Sequence, residues 1–316
     1  MRKTLTAIGF VVIAGACGQG EAERPESLRL IAHDSFAGSV NEETFAAFTG
    51  DTGIEVEMIA AGDAGSMVNQ AALSAGNPLA DVMFGVDDTF LSRALDEDIF
   101  VEYQSELLDD VVTDLRPETR LVTPIDFGDV CLNYDKAWFE SGDLPVPETL
   151  DDLTDPAYAG LMVTPGASTS SPGMAFFLAT VAAYGDDWQD YWTDLLANGA
   201  KVVDGWEDAY YGDFTQGGGG GERPIVLSYD SSPAFTVDEK TGESTTAALL
   251  DTCFRQVEYA GVLTGADNPE GAAALVDWML TDEVQSALPE SMYVFPVMPD
   301  ATVPDDWAEF APQPAE

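Results

Sequence analysis

The segment VVDGWEDAYYGDF, Val202 to Phe214, sets Trp206, Tyr210 and Tyr211 among the carboxylates of Asp204, Glu207, Asp208 and Asp213. Two chemistries fit it. Trp206 and Tyr210 stand four residues apart and can form the inner stripe of a helix. Their π-faces can equally receive something flat and positively charged, because the face of an aromatic ring attracts a cation. The segment alone leaves both readings open. Hydrolytic chemistries find less support. There is no Gly-x-Ser-x-Gly elbow, and the only histidine, His33, cannot build a zinc cluster. The carboxylates are many, but no spacing singles out a catalytic pair. The glycine run QGGGGGERP, Gln216 to Pro224, lacks the Gly-Lys-Ser/Thr ending of a phosphate loop and reads as a flexible connection.

With 316 residues, 46% of them hydrophobic and 22% charged, the chain is globular and long enough for about two domains. Its 57 Asp and Glu against 12 Lys and Arg give a formal charge of -45. Such a field argues against nucleic acid and anionic membrane surfaces as partners, draws in cations, and also suits a salty exterior. Residues 1–17 read as an export signal: Arg2 and Lys3, an apolar run from Leu5 to Ala14 too short to span a bilayer, then Ala-Gly-Ala before Cys17. Small residues before a cysteine at this distance resemble a lipoprotein cleavage site, with Cys17 the lipidated residue. Residues 18–27 read as a tether. Outside the cytoplasm the two remaining cysteines, Cys131 and Cys253, either pair or stay as buried thiols.

The elements that must position these groups alternate. LRLIAHDSF, IEVEMIA and ADVMFGV read as strands, and NEETFAAFTGDTG, SMVNQAALSAGNP and DDTFLSRALDEDIF as helices. This rhythm implies an α/β fold whose ligands sit beyond the C-terminal ends of strands, which places HDSF and AGDAGS at a candidate site. DVCLNYDKAWF, after Asp-Phe-Gly, reads as a long strand able to cross between two lobes. MAFFLATVAAYG and DDWQDYWTDLLANG read as helices, PIVLSYDSSPAF as a buried strand ending in polar and aromatic residues, and NPEGAAALVDWMLTDEVQSALPES as a helix pair.

A leader of this kind, two α/β lobes, a crossover strand and the closing AAALVDWMLTDEVQ resemble the extracellular solute-binding proteins of ABC importers. In order along the chain, HDSF, PIDFGDVCLNYDK, STSSPG, DGWEDAY, LSYDSSPAF and LPESMYVFPV are similar to the thiamine-binding members of that family, over roughly Leu28 to Val297. The resemblance implies a two-lobed periplasmic-binding-protein fold of type II with mixed sheets and a hinge. Residues 28–124 plus 246–316 would form the first lobe and 125–245 the second. It implies thiamine or its mono- or diphosphate as ligand, no cofactor, a permease as partner, and a lipid-anchored monomer at the cell surface or in the periplasm. Thiamine pairs a thiazolium cation with an aminopyrimidine, so its site needs rings, a carboxylate and hydroxyls. By resemblance, Trp206 and Tyr229 match the family's Gly-Trp and Ser-Tyr rings. Phe235 stands where the family has Tyr, Tyr293 where it has Trp, and His33 where it has Tyr. Asp63 matches the acid for the aminopyrimidine amine, and Ser170 the hydroxyl at the tail. Ser35, Ser171 and Tyr210 complete the set, with Asp63, Ser170 and Ser171 equally suited to capping helices.

The resemblance also places the segments of Cys131 and Cys253 side by side near the lobe junction, implying a disulfide. Two other readings remain. Thiaminase-like enzymes share the architecture and attack with a cysteine, here Cys131 with Glu258 as acid, which requires a free thiolate. Related binding proteins take ferric iron, phosphonates or polyamines, with a polyamine the nearest alternative ligand.

Overall fold

The computed structural model of the protein describes residues 27–40 and 43–315. The export signal with Cys17, and the tether up to residue 26, lie outside the described residues. Among the described residues, no helix is long and apolar enough to cross a membrane.

Among the described residues, nine strands form one mixed sheet. They are β1 Ser27–Ala32, β2 Glu55–Ala60, β3 Val82–Asp87, β4 Thr123–Asp135, β5 Met162–Pro165, β6 Lys201–Val203, β7 Ile225–Tyr229, β8 Thr246–Val262 and β9 Phe295–Pro296. The order is β2-β1-β3-β8-β4-β7-β5-β6, with β9 on β4. β1 pairs parallel with β2 and β3, and β5 parallel with β6 and β7. Strands buried throughout, such as β3, read as continuous apolar runs because helices cover both faces. The two long strands β4 and β8 run antiparallel through the middle and join these halves.

Two main cores result. One gathers Leu30, Phe48, Met67, Phe84, Val262, Leu275 and Trp307, the other Leu132, Phe139, Phe176, Leu195 and Leu227. A small third cluster of Val163, Ala209, Tyr210, Phe214 and Val226 lies beneath the aromatic segment. β4 supplies both main cores, Ile125 and Phe127 to the first and Val130 and Leu132 to the second.

Cys131 and Cys253 form a disulfide with Cα atoms 4.2 Å apart. It sits where the β4–β8 ladder breaks. Val130 faces Phe254 and Leu132 faces Leu249, so the intervening residues of β8 bulge out opposite Cys131. The hydroxyl of Thr252, within the bulge, accepts from Leu132 N at 3.0 Å in place of a ladder carbonyl.

The glycine run corrects the sequence reading of a flexible connection. It is a strap laid against the backbone of the Asp208–Asp213 helix, which is wound with π geometry. A Cβ on Gly217 would meet the Tyr210 carbonyl oxygen at 1.7 Å, one on Gly219 the Tyr211 oxygen at 2.1 Å, and one on Gly221 the Asp213 carbonyl carbon at 2.1 Å. Only glycine permits this approach. Arg223 N donates to Asp213 O at 3.0 Å and holds the strap's end.

Candidate functional site

The C-terminal ends of β1, β2, β5, β6 and β7 converge on one cavity of about 340 Å³. His33 follows β1, Asp63 follows β2, Ser171 follows β5, Trp206 follows β6, and Tyr229 ends β7. These five, with Ser35, Tyr210, Phe235 and Tyr293, line the cavity. Ser170 does not: it is fully buried at the N-cap of the Ser171–Tyr184 helix, and its hydroxyl has no protein partner. Glu207, Tyr211, Ser232, Glu258 and Met292 also line the cavity and were not among the expected ligand groups.

Trp206 and Tyr210 pack on each other and also line the cavity. Their rings stack with centroids 5.0 Å apart and planes 20° from parallel, as an i, i+4 pair can. Tyr210 is buried in the third core cluster, and both rings reach the cavity. Tyr211 meets Trp206 edge-on at 5.4 Å, an arrangement the π geometry allows because it widens the turn. Trp206 Nε1 donates to Ser228 Oγ at 3.0 Å, which fixes the indole. On the other wall Phe235 meets Tyr293 edge-on at 5.1 Å. Tyr293 ends the Asp282–Met292 helix in the left-handed region, at φ 54° and ψ 43°. Ser231 Oγ donates to its carbonyl and holds it there.

Asp63 works as a cap and a tie. Its Oδ1 accepts from Ala64 N at 2.7 Å, and its Oδ2 from Trp206 N at 2.9 Å. The second bond links the flank of the first core to the segment that carries the aromatics, and Gly65 N, donating to Thr169 O at 2.9 Å, ties it to the turn before the Ser171–Tyr184 helix.

The floor is acidic. His33 packs onto Gly85, whose φ of 93° opens a bulge in β3, and a Cβ there would lie 2.1 Å from the imidazole Cδ2. His33 Nδ1 accepts from Phe36 N at 3.3 Å, and its Nε2 lies 3.4 Å from Glu258 Oε1. Burial works against the imidazolium, yet Glu258, with Asp63 and Asp34 further off, raises its pKa overall. Glu258 on β8 stands opposite Asp126 on β4. Burial and the charge of Glu258 push the Asp126 carboxyl well above the ordinary carboxylate range, and neither of its buried oxygens has a hydrogen-bond partner among the described residues. Burial would raise Glu258 as well, but His33, Asp126 and Gln256 outweigh it and leave Glu258 below its ordinary value, ionised. Behind them burial lifts Asp87 to about 7 and Asp88 to about 6. Asp87 stands at the N-cap of the Asp88–Asp96 helix, but its oxygens accept from the Thr89 hydroxyl and cap no backbone N–H. The cavity lining carries no Lys or Arg. The site is therefore aromatic-walled, acid-floored and suited to a small aromatic cation. Among the described residues, no group of three or more His, Cys, Asp or Glu is placed to hold a metal ion.

The protein belongs to the bacterial extracellular solute-binding proteins, whose family model matches residues 77–312. Within that class it is similar to the thiamine-binding periplasmic protein of Salmonella typhimurium, with 28% identity over 290 residues covering 90% of this chain and 84% of that protein. The protein of the same description from Escherichia coli is also 28% identical, over 85% of this chain and 80% of its own. The solved structure of a periplasmic thiamin binding protein superposes with a TM-score of 0.82 at 27% identity, covering 96% of this chain and 92% of that one. Iron-bound HitA from Pseudomonas aeruginosa shares the fold, with a TM-score of 0.70 at 20% identity over 92% of this chain and 93% of its own.

Proposed function

We propose that this protein captures thiamine outside the cytoplasm and delivers it to the permease of an ABC importer. The observation that carries this reading is the cavity itself. Trp206, Tyr210, Tyr229, Phe235 and Tyr293 surround a space whose lining includes three carboxylates and no Lys or Arg. A flat ring with a permanent positive charge satisfies both features, by cation–π contact with the walls and by charge pairing with the floor. The thiamine-binding relatives support the choice of ligand among cations. Thiamine phosphates enter the same reading, with Ser171 in the cavity lining as a partner for the tail. The protein acts as a lipid-anchored monomer that needs no cofactor. No catalytic role is proposed, because Cys131, the candidate nucleophile, is engaged with Cys253.

Calorimetry on refolded, ligand-stripped protein with thiamine, its two phosphates and spermidine tests the reading. Thiamine or a phosphate ester should bind at least tenfold more tightly than spermidine. Tighter binding of spermidine would make the protein a polyamine carrier, and heat from none of them would overturn the assignment.

A further inference from the structure

The cavity has three carboxylates, and their surroundings differ. Both oxygens of Asp63 are engaged by backbone N–H groups, of Ala64 at 2.7 Å and Trp206 at 2.9 Å. Glu207 is solvent-exposed at the rim, where water screens its charge. Glu258 alone is buried, 6% exposed, and still lines the cavity. Its ion-pair partner is His33, whose Nδ1 is occupied by the Phe36 N–H. A proton on Nδ1 would cost that cap, while the charge of Glu258 favours it. Asp126, across the β4–β8 ladder, brings no positive charge. Even with His33 protonated, one positive group faces three carboxylates in the lining. Arg255, three residues before Glu258, is directed elsewhere, to Asp129 at 2.8 Å and over the Phe127 ring.

We propose that Glu258 is the specificity-determining residue of the cavity, the carboxylate that selects a ligand carrying a fixed positive charge on its ring. The inference rests on the proposed capture of thiamine and goes beyond it, by assigning the charge discrimination to one residue. Glu258 is positioned by the crossing strands: it lies on β8, directly opposite Asp126 on β4. Gln256, two residues before it, approaches it at 3.4 Å and accepts from the Tyr229 hydroxyl at 3.3 Å, so the carboxylate is also joined to an aromatic wall. A buried charge held this way interacts with a ligand cation in a weakly screened setting, whereas a neutral ring of the same shape leaves it with His33 only.

The test compares thiamine with its neutral isostere, in which a thiophene ring replaces the thiazolium, on wild type and on Glu258→Gln. The wild type should prefer the charged ring by roughly 10- to 100-fold. In Glu258→Gln that preference should shrink to within about threefold, mainly through weaker thiamine binding, while a purely structural role would weaken both ligands alike. A second readout needs no variant. His33 is the only histidine in the chain, so its imidazole gives one NMR signal to follow against pH. The carboxylates facing it are Glu258 from β8, Asp63 from the N-cap of the Ala64–Leu73 helix, Asp34 from its own helix, and Glu207 from the aromatic segment. A ligand cation that compensates Glu258 should make His33 titrate at lower pH, and the thiophene isostere should leave it unchanged. A wild type that binds thiamine but shows no preference, a variant that keeps the preference, or an unmoved His33 titration overturns this assignment alone. A wild type that binds neither ring overturns it together with the reading on which it rests.

Discussion

Replacing Gly219 with alanine adds one methyl group at the tightest interface behind the binding cavity. The new Cβ would lie 2.1 Å from the Tyr211 carbonyl oxygen, and real Cβ atoms stay beyond 3.0 Å, so strap and helix must part by about 1 Å. The contact is with backbone on both sides, so no side chain can swing away. Overpacking of this kind costs about 1–3 kcal/mol. The displaced turn carries Tyr210 and Tyr211, and through the stack Trp206, so the ring geometry should loosen with it. Thiamine affinity should fall about tenfold, near 1.4 kcal/mol. The assay pairs calorimetric titration with chemical denaturation of the same preparation. Gly212, on the same helix, has nothing within 4 Å of its virtual Cβ. Gly212→Ala should therefore bind as wild type and be equally or slightly more stable. If Gly219→Ala matches wild type in both measurements, the strap does not position the rings and the reasoning fails.

Trp206→Ala should weaken thiamine binding by about 1–3 kcal/mol through lost stacking and burial, and a titration showing unchanged affinity with lowered stability would leave Trp206 a packing residue only. Replacing Cys131 and Cys253 together with serine should lower unfolding free energy by up to about 5 kcal/mol, measured by denaturant without reductant, since the bond closes a loop with a sequence separation of 122. Burial and the neighbouring charge of Asp129 raise Asp230 to about 7. Its folded form thus holds a proton that the unfolded chain releases near pH 4, so its stabilising contribution is complete below about pH 4 and lost as pH rises through about 7. Asp230→Asn should consequently gain melting temperature relative to wild type across that window, and parallel melting curves would contradict the shift.

The cavity's rings were legible only through the resemblance of short motifs, since the segment of Trp206 and Tyr210 alone suits a helix stripe and a cation face equally. Trp206, Tyr229 and Tyr293 could be placed from short motifs, and the alternation of apolar strands and helices led to HDSF and AGDAGS. Asp63 illustrates the limit: a carboxylate at a helix start suits a cap and a ligand equally, and only the distances show both oxygens engaged by backbone. Glu258 escaped notice as a ligand group because its position depends on the antiparallel register of β4 and β8, which no local pattern encodes. The glycine run misled for a related reason. A sequence of glycines looks the same whether the chain is free or pressed against another backbone, and the distinction lies in Tyr210, Tyr211 and Asp213 on the opposing turn. The only hint was the alternation of Gly217, Gly219 and Gly221, hidden because Gly218 and Gly220 are glycines too.

The disulfide has a topological consequence. Cys131 and Cys253 sit on the two strands that enter and leave the second core, so the residues between them form a covalent ring fastened at its neck. A protease that cuts once anywhere within that ring opens it without releasing a fragment. Both cut ends remain tethered through the neck to the same molecule, and the nick becomes visible as two pieces only after reduction.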